Sequence, residues 1–235
     1  MIKTASGDSS GVGPAEGVHQ AAKRNIEVFS ELAARHGLTA AGVGWTERSQ
    51  IKRFSKLVEV GNLHGQSVLD VGCGFGDLFA YLESRGFEVD YTGFEITPAM
   101  AAGAVKKYPR LEGRIRIFDV LTEDGGGVFD YVISNGPLNV DLGNNEAVIV
   151  RFLQRCWGLA RRGVAITMTS GWSRRPRPGT HYYDPAWVVA EAGKLTTNLR
   201  LDHTYLPHDF ALFLYRGDLY DGDGPETAPL LPVGR

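Results

Sequence analysis

The segment Ser67-Val-Leu-Asp-Val-Gly-Cys-Gly-Phe-Gly-Asp77 is an apolar run that meets three alternating glycines, Gly72, Gly74 and Gly76, before a helical pattern resumes. Glycines in such a turn let the main chain approach a ligand closely, and the helix that follows offers its free N–H groups. Loops of this kind serve NAD, FAD and several other nucleotide sites. Asp70 stands before the first glycine, where an acid suits a cationic ligand head better than a pyrophosphate that already carries negative charge. Glu95 ends the next predicted strand, where a carboxylate can accept hydrogen bonds from both ribose hydroxyls. Asp119 ends the third, placed to accept from an exocyclic adenine amine, with Ile96 and Leu121 enclosing the ring and Val120 in the same segment. Each acid alone is an ordinary strand-end residue; three at successive strand ends beside a triple-glycine turn point to one ligand.

The elements that must carry these residues follow from periodicity. Val18, Ala22, Ile26, Phe29 and Ala33 predict an amphipathic helix ending at Gly37, and a second helix runs from about Trp45 to Val60 before Gly61. From residue 66 the pattern alternates. Strands are predicted at Ser67 to Val71, Val89 to Phe94, Ile115 to Asp119, Phe129 to Ser134 and Val164 to Thr169. Helices are predicted around Leu78 to Ser84, from the Thr97-Pro98 cap to Tyr108, at Glu146 to Ala160 with Gly163 as the stop, and after the Asp184-Pro185 cap. The runs Leu199 to Leu206 and Phe210 to Tyr215 are too close for a parallel crossover and should form an antiparallel hairpin. The expected fold is α/β, a Rossmann-like doubly wound seven-stranded sheet, mostly parallel with a final antiparallel hairpin strand, preceded by a helical lid. The division is 1–16 flexible, 17–216 one domain (17–65 lid, 66–216 core) and 217–235 a flexible tail. The Asp221-Gly-Asp223-Gly stretch in that tail has Pro225 at a ligand position and is read as solvated chain, not as a calcium loop.

The sequence resembles the class I S-adenosylmethionine-dependent methyltransferases over roughly Ser67 to Thr169, most specifically in LDVGCGFGD (Leu69 to Asp77), YTGFEITPAM (Tyr91 to Met100) and FDYVISNGPLN (Phe129 to Asn139). The resemblance implies that Asp70, Gly72 and Gly74 hold the amino acid part of the donor, Glu95 its ribose and Asp119 its adenine amine. Ser134, Asn135 and Gly136 would lie beside the methionine moiety and the methyl group. The helices before residue 66 are, by the same resemblance, a lid in which Trp45, Gln50, Arg53 and Phe54 line the pocket and Arg53 pairs with the donor carboxylate. The cofactor so implied is S-adenosyl-L-methionine, with S-adenosyl-L-homocysteine as product. A nicotinamide enzyme would instead show a GxGxxG spacing without Asp70. A third reading is a donor-fold protein that has lost turnover and serves as a binding or regulatory module.

Acceptor residues are expected in Trp172 to Tyr183, which leaves the same sheet edge. Arg174, Arg175 and Arg177 could receive a carboxylate or phosphate, or form an exposed solubilising loop. His181 is the first candidate base, Tyr182 and Tyr183 are wall or hydroxyl donors, and His208 beside Asp209 is a second imidazole. Trp45 completes the expected acceptor wall. Asn135-Gly-Pro-Leu138 resembles the Asn-Pro-Pro-aromatic signature of amino-group methyltransferases, but Gly136 replaces the first proline and Leu138 the stacking aromatic, which argues against a nucleobase or glutamine acceptor.

Composition narrows the partners. Twenty-five Lys and Arg against 27 Asp and Glu give a net charge of −2, without a general field for nucleic acid or an anionic membrane. No apolar run approaches the roughly 18 residues of a membrane helix. Cys73 and Cys156 form neither a disulfide framework nor a zinc set, so a cytoplasmic protein without a metal is expected. The expected partner is a small-molecule acceptor; oligomeric state is not readable.

Overall fold

The computed structural model describes residues 14–217; of the expected loose ends, 1–13 and 218–235, with Asp221 and Asp223, fall outside the described residues, whereas 14–16 belong to the first helix. In chain order the elements are α1 (Pro14–His36), α2 (Glu47–Leu57), β1 (Ser67–Val71), α3 (Asp77–Ser84), β2 (Asp90–Glu95), α4 (Pro98–Lys107), β3 (Ile115–Ile117), β4 (Phe129–Asn135), α5 (Asn145–Leu159), β5 (Ala160–Thr169), α6 (Pro185–Ala192), β6 (Leu199–Asp202) and β7 (Asp209–Tyr215). The seven strands form one sheet in the order β3-β2-β1-β4-β5-β7-β6. The pairs from β3 to β5 are parallel, and β7 runs antiparallel to both β5 and β6. The strand order reverses between β1 and β4, the place where open α/β sheets leave a crevice beyond their carboxyl ends.

Alternate side chains along each strand feed two cores. Leu69, Val71, Val132, Ile166 and Met168 pack with Val148 and Phe152 of α5 and Val188 of α6. Val68, Ile133, Ala165 and Phe213 face the other way, toward Phe54 and Leu57 of α2 and Leu78 and Leu82 of α3. The second helix is thus built into the sheet's cover as well as lying before the core in sequence.

Several boundaries differ from expectation. Gly163 does not stop a helix; α5 ends at Leu159 and Gly163 lies inside β5, where a Cβ would meet Val60 and the Leu214 carbonyl at 3.2 and 3.3 Å. Asp119 lies beyond β3, folded into a turn in which its carboxylate accepts from the Leu121 N–H at 2.9 Å and the Thr122 hydroxyl at 2.7 Å. Trp45 precedes α2, whose start is fixed by a reciprocal box between Thr46 and Ser49. β6 stops at Asp202, because that side chain accepts from the Thr204 N–H and hydroxyl and turns the chain. On α1 the buried stripe is Val18, Ala21 and Asn25, rotated from the expected one, so a polar side chain sits on the inward face.

Candidate active site

One crevice opens at the carboxyl ends of β1, β2 and β4, lined by residues of all three strand ends. Its floor is the glycine turn. Gly72 has φ of 73°, and a Cβ there would press on Pro137 at 2.8 Å, so this position needs glycine both for its conformation and for the close approach of the loop after β4. Glu95 clamps the turn. One carboxylate oxygen accepts from the Gly74 N–H and the other from the Thr97 N–H, both at 2.8 Å. Burial raises the Glu95 carboxyl, and these two N–H groups oppose the rise.

Asp70 is 2% exposed and accepts a hydrogen bond from the Tyr91 hydroxyl at 2.8 Å. Burial pushes its carboxyl up to about 7, with Glu95 and Asp77 adding to the rise and the Tyr91 hydroxyl opposing it. Asp77 ties three elements together, accepting from Gln50 at 3.2 Å, Lys107 at 2.6 Å and Tyr108 at 2.8 Å. The crevice is roofed by Asn25 and Phe29 of α1, by Val43 and Trp45 of the connection, and by Gln50 and Phe54 of α2. Asn25 donates to the Pro137 carbonyl at 3.0 Å, while its Oδ1 is buried without a partner among the described residues; the Thr97 hydroxyl does not cap α4.

A second, wider cleft meets the first at Phe29, Val43, Trp45 and Gly136, which line both. Arg174, Arg175, Arg177, Trp172, Tyr182 and His208 line its outer part. The three arginines are exposed, and among the described residues none of their guanidinium groups has an ion-pair partner. The Trp172 ring stacks on His203, with centroids 5.3 Å apart, extending the aromatic wall.

Of the expected cofactor residues, the structure brings Asp70, Gly72, Gly74, Glu95, Ile96, Asp119, Val120, Leu121, Asn135 and Gly136 around the first crevice. Arg53 is not among them. It is 1% exposed, paired with Asp209 through Nη2 and stacked under Trp45 with Cζ 3.7 Å from the ring centroid; it lines the second cleft, and its Nε and Nη1 have no hydrogen-bond partner among the described residues. Ser134 also leaves the group, because it is fully buried and donates to the Val71 carbonyl at 2.8 Å. Trp45, Arg174, Arg177, Tyr182 and His208 line the second cleft.

Two acceptor expectations are overturned. Tyr183 is 1% exposed and donates to the Leu138 carbonyl at 2.8 Å, which makes it part of the core. His181 packs edge-on against Tyr183 with ring centroids 4.5 Å apart and lines neither cleft; burial lowers its imidazole, which Asp141 and Glu146 oppose. Residues the sequence reading missed include Asn25, Thr97 and Asn139. For Asn25 a signal existed, an asparagine at helical spacing from Val18 and Ala21.

The comparisons with known proteins agree with this geometry. The family described as methyltransferase small domain matches residues 54–168. The Mycobacterium tuberculosis protein named "Putative methyltransferase Rv1506c" is 31% identical over 155 residues, covering 63% of this chain and 92% of that protein. The chain belongs to the class I S-adenosylmethionine-dependent methyltransferases. Ribosomal RNA small subunit methyltransferase C of Hahella chejuensis is 28% identical over 133 residues, 56% of this chain but 36% of that protein. Among solved structures, magnesium protoporphyrin IX methyltransferase (ChlM) from Synechocystis PCC 6803 with bound SAM shares the fold at a TM-score of 0.60 and 17% identity, covering 89% of this chain and all of that one. The DhpI-SAM-HEP complex does so at 0.61 and 14%, covering 87% and 99%.

The crevice of this methyltransferase fits its donor chemically. Carboxylates at Asp70, Glu95 and Asp119 and the unpartnered acceptor Asn25 Oδ1 suit a ligand that brings an ammonium, a sulfonium, two ribose hydroxyls and an adenine amine, all positive or donating. Among the described residues no cluster of three or more His, Cys, Asp or Glu side chains is arranged to hold a metal ion, and no helix is long and apolar enough to cross a membrane.

Proposed function

We propose that this methyltransferase acts on a small molecule that carries an anionic group, bound in the second cleft. The observation that carries the reading is the meeting of the two cavities at Trp45 and Gly136, with three unpaired guanidinium groups at the outer rim. When bound, the donor supplies a methyl group made electrophilic by its sulfonium. Asp70 faces the cationic end, Glu95 and Thr97 the ribose, and Asp119 the adenine amine between Ile96 and Leu121, with Val120 beside them. Asn135 and Gly136 border the point where the methyl group leaves the first cavity. Arg174 and Arg177 steer and hold the acceptor's negative group, which a planar guanidinium does bidentately. Alignment and exclusion of water are the main tasks, and residues 17–65 serve as a lid that supplies both over a core of 66–216. Both cysteines are free and buried, and we place the protein in a reducing compartment, the cytoplasm.

Ribosomal RNA is the second reading, favoured by the relative from Hahella chejuensis. Against it stand the near-neutral charge and the departures at Gly136 and Leu138 from the amine-methylating signature. The test is methyl-labelled S-adenosylmethionine offered with a mixture of small organic anions and, separately, with ribosomal RNA. Label in the small-molecule fraction supports the proposal, and label only in RNA overturns it. Binding of S-adenosylhomocysteine, with NAD as the control, checks the donor site independently.

A further inference from the structure

We infer that the acceptor's nucleophile is an oxyanion, a carboxylate-type oxygen held by the side-chain amide of Asn139, so that the product is a methyl ester. The inference rests on the small-molecule reading above and adds the identity of the reacting atom.

The orientation of Asn139 decides the matter. Its Oδ1 lies 3.1 Å from the Thr169 main-chain nitrogen, which can only donate, and 3.2 Å from the Thr169 hydroxyl. The NH2 end must therefore point the other way. Asn139 is 7% exposed and its Nδ2 is buried with no hydrogen-bond partner among the described residues. It lies against Gly136, since a Cβ at that glycine would collide with it, and Gly136 lines both cavities. An unsatisfied donor of the second cleft thus lies beside the residue at which the two cavities meet. An unpaired buried amide is a cost to the fold unless a ligand supplies the acceptor.

The neighbouring groups have the same polarity. Asn135 Oδ1 is engaged at 2.9 Å by the Thr167 hydroxyl, so its acceptor end is also turned toward β5. Burial lowers both Arg53 and His208, and the positive charge of Arg177 adds to that lowering. An amine brings hydrogens that require acceptors, and Asn139 Nδ2 and the guanidinium groups of Arg53 and Arg177 offer none. An oxyanion brings lone pairs and negative charge, which all of them favour. Such a nucleophile is already deprotonated, so the absence of an imidazole directed at the junction from His181 is no obstacle. In the transfer a lone pair on oxygen forms the new O–C bond as the C–S bond breaks, the bonding pair stays on sulfur, and no proton moves. The sulfonium and oxyanion charges cancel.

The test uses the full chain saturated with S-adenosylhomocysteine, titrated calorimetrically with benzoate and with benzylamine as aromatic probes of equal bulk. Benzoate should bind and benzylamine should not. Asn139→Asp keeps an oxygen for the Thr169 N–H but places a second oxygen where the NH2 was, and should weaken benzoate by about tenfold or more with S-adenosylhomocysteine affinity unchanged. Asn139→Ala should weaken it less, with the same control reporting the fold. Turnover with labelled donor should give an O-methyl product by mass spectrometry. Benzylamine binding as well as benzoate, unchanged benzoate binding in Asn139→Asp, or an N-methyl product overturns the inference while leaving a small-molecule enzyme. Binding of neither probe together with methylation of ribosomal RNA overturns the reading beneath it.

Discussion

The Tyr91 hydroxyl donates to Asp70 Oδ2 at 2.8 Å between adjacent strands, holding a carboxylate that has almost no contact with water directly behind the donor-binding turn. Burial pushes this carboxyl up to about 7. A cationic ligand prefers the ionised form, so donor affinity should rise by about tenfold for each pH unit below about 7 and level off above it. Calorimetric titration with S-adenosylmethionine across that range measures the slope, and Asp70→Asn should flatten it.

The same group governs the stability of the ligand-free protein, with the opposite sense. An acid raised on folding contributes stability that is complete below its unfolded value and is lost as pH rises through the folded one. The ligand-free protein should therefore weaken as pH rises from about 4 to about 7, and Asp70→Asn should be more stable than wild type by roughly 2–4 kcal/mol at about pH 8. Urea midpoints of the two proteins at acid and alkaline pH give the comparison; parallel curves would separate Asp70 from this effect.

Glu95 uses both carboxylate oxygens on main-chain N–H groups, one from the glycine turn and one from the cap of α4. Glutamine can satisfy only one of them, because its NH2 would face the other N–H. Glu95→Gln should weaken S-adenosylhomocysteine by about 10- to 100-fold, combining a loosened turn with a weaker ribose partner. Thermal unfolding should fall with it, and an unchanged affinity would remove Glu95 from the donor site.

Arg53 and Asp209 are joined across the sheet's cover, 1% and 0% exposed. Burial drives the arginine down and the aspartate up, and each restrains the other. Removing one partner by Arg53→Met or Asp209→Asn leaves a buried charge and should cost about 3–5 kcal/mol, whereas the double replacement should cost less than the sum. A double-mutant cycle in denaturant tests the coupling, and additive losses would show that the two charges act independently.

What was legible in the sequence was local. Asp70, the glycine turn and Glu95 lie within one βαβ unit, so spacing alone places them at one edge, and the short link between the last two strands makes them an antiparallel hairpin. The pairing of Arg53 was not legible because its partner lies 156 residues away, and a guanidinium looks equally available to a ligand or to a buried acid until the chain is folded. His181 and Tyr183 failed for a similar reason. The segment carrying them pairs alongside the end of β5 through the Tyr183 N–H to Thr169 carbonyl bond, and that pairing decides which side chains enter the core. Asn139 acquires its meaning from the direction of one β5 N–H, which no pattern of residue types encodes.

The rim arginines separate binding from chemistry. They are exposed and lie beyond the junction of the cavities, so Arg174→Ala with Arg177→Ala should leave the fold and S-adenosylhomocysteine affinity unchanged. An anionic acceptor loses two charge-assisted contacts at a partly solvated site, which should raise its KM by about 10- to 100-fold with a smaller change in kcat. The loss should shrink as salt is added, because exposed charges are screened within about 8 Å at physiological ionic strength. Arg177 also depresses the protonation of His208, so its removal should raise the His208 titration seen by NMR. Steady-state kinetics at low and high salt distinguish the cases: equal effects on donor and acceptor KM would mean the loop supports the lid, and no effect on either would make the arginines solvated surface.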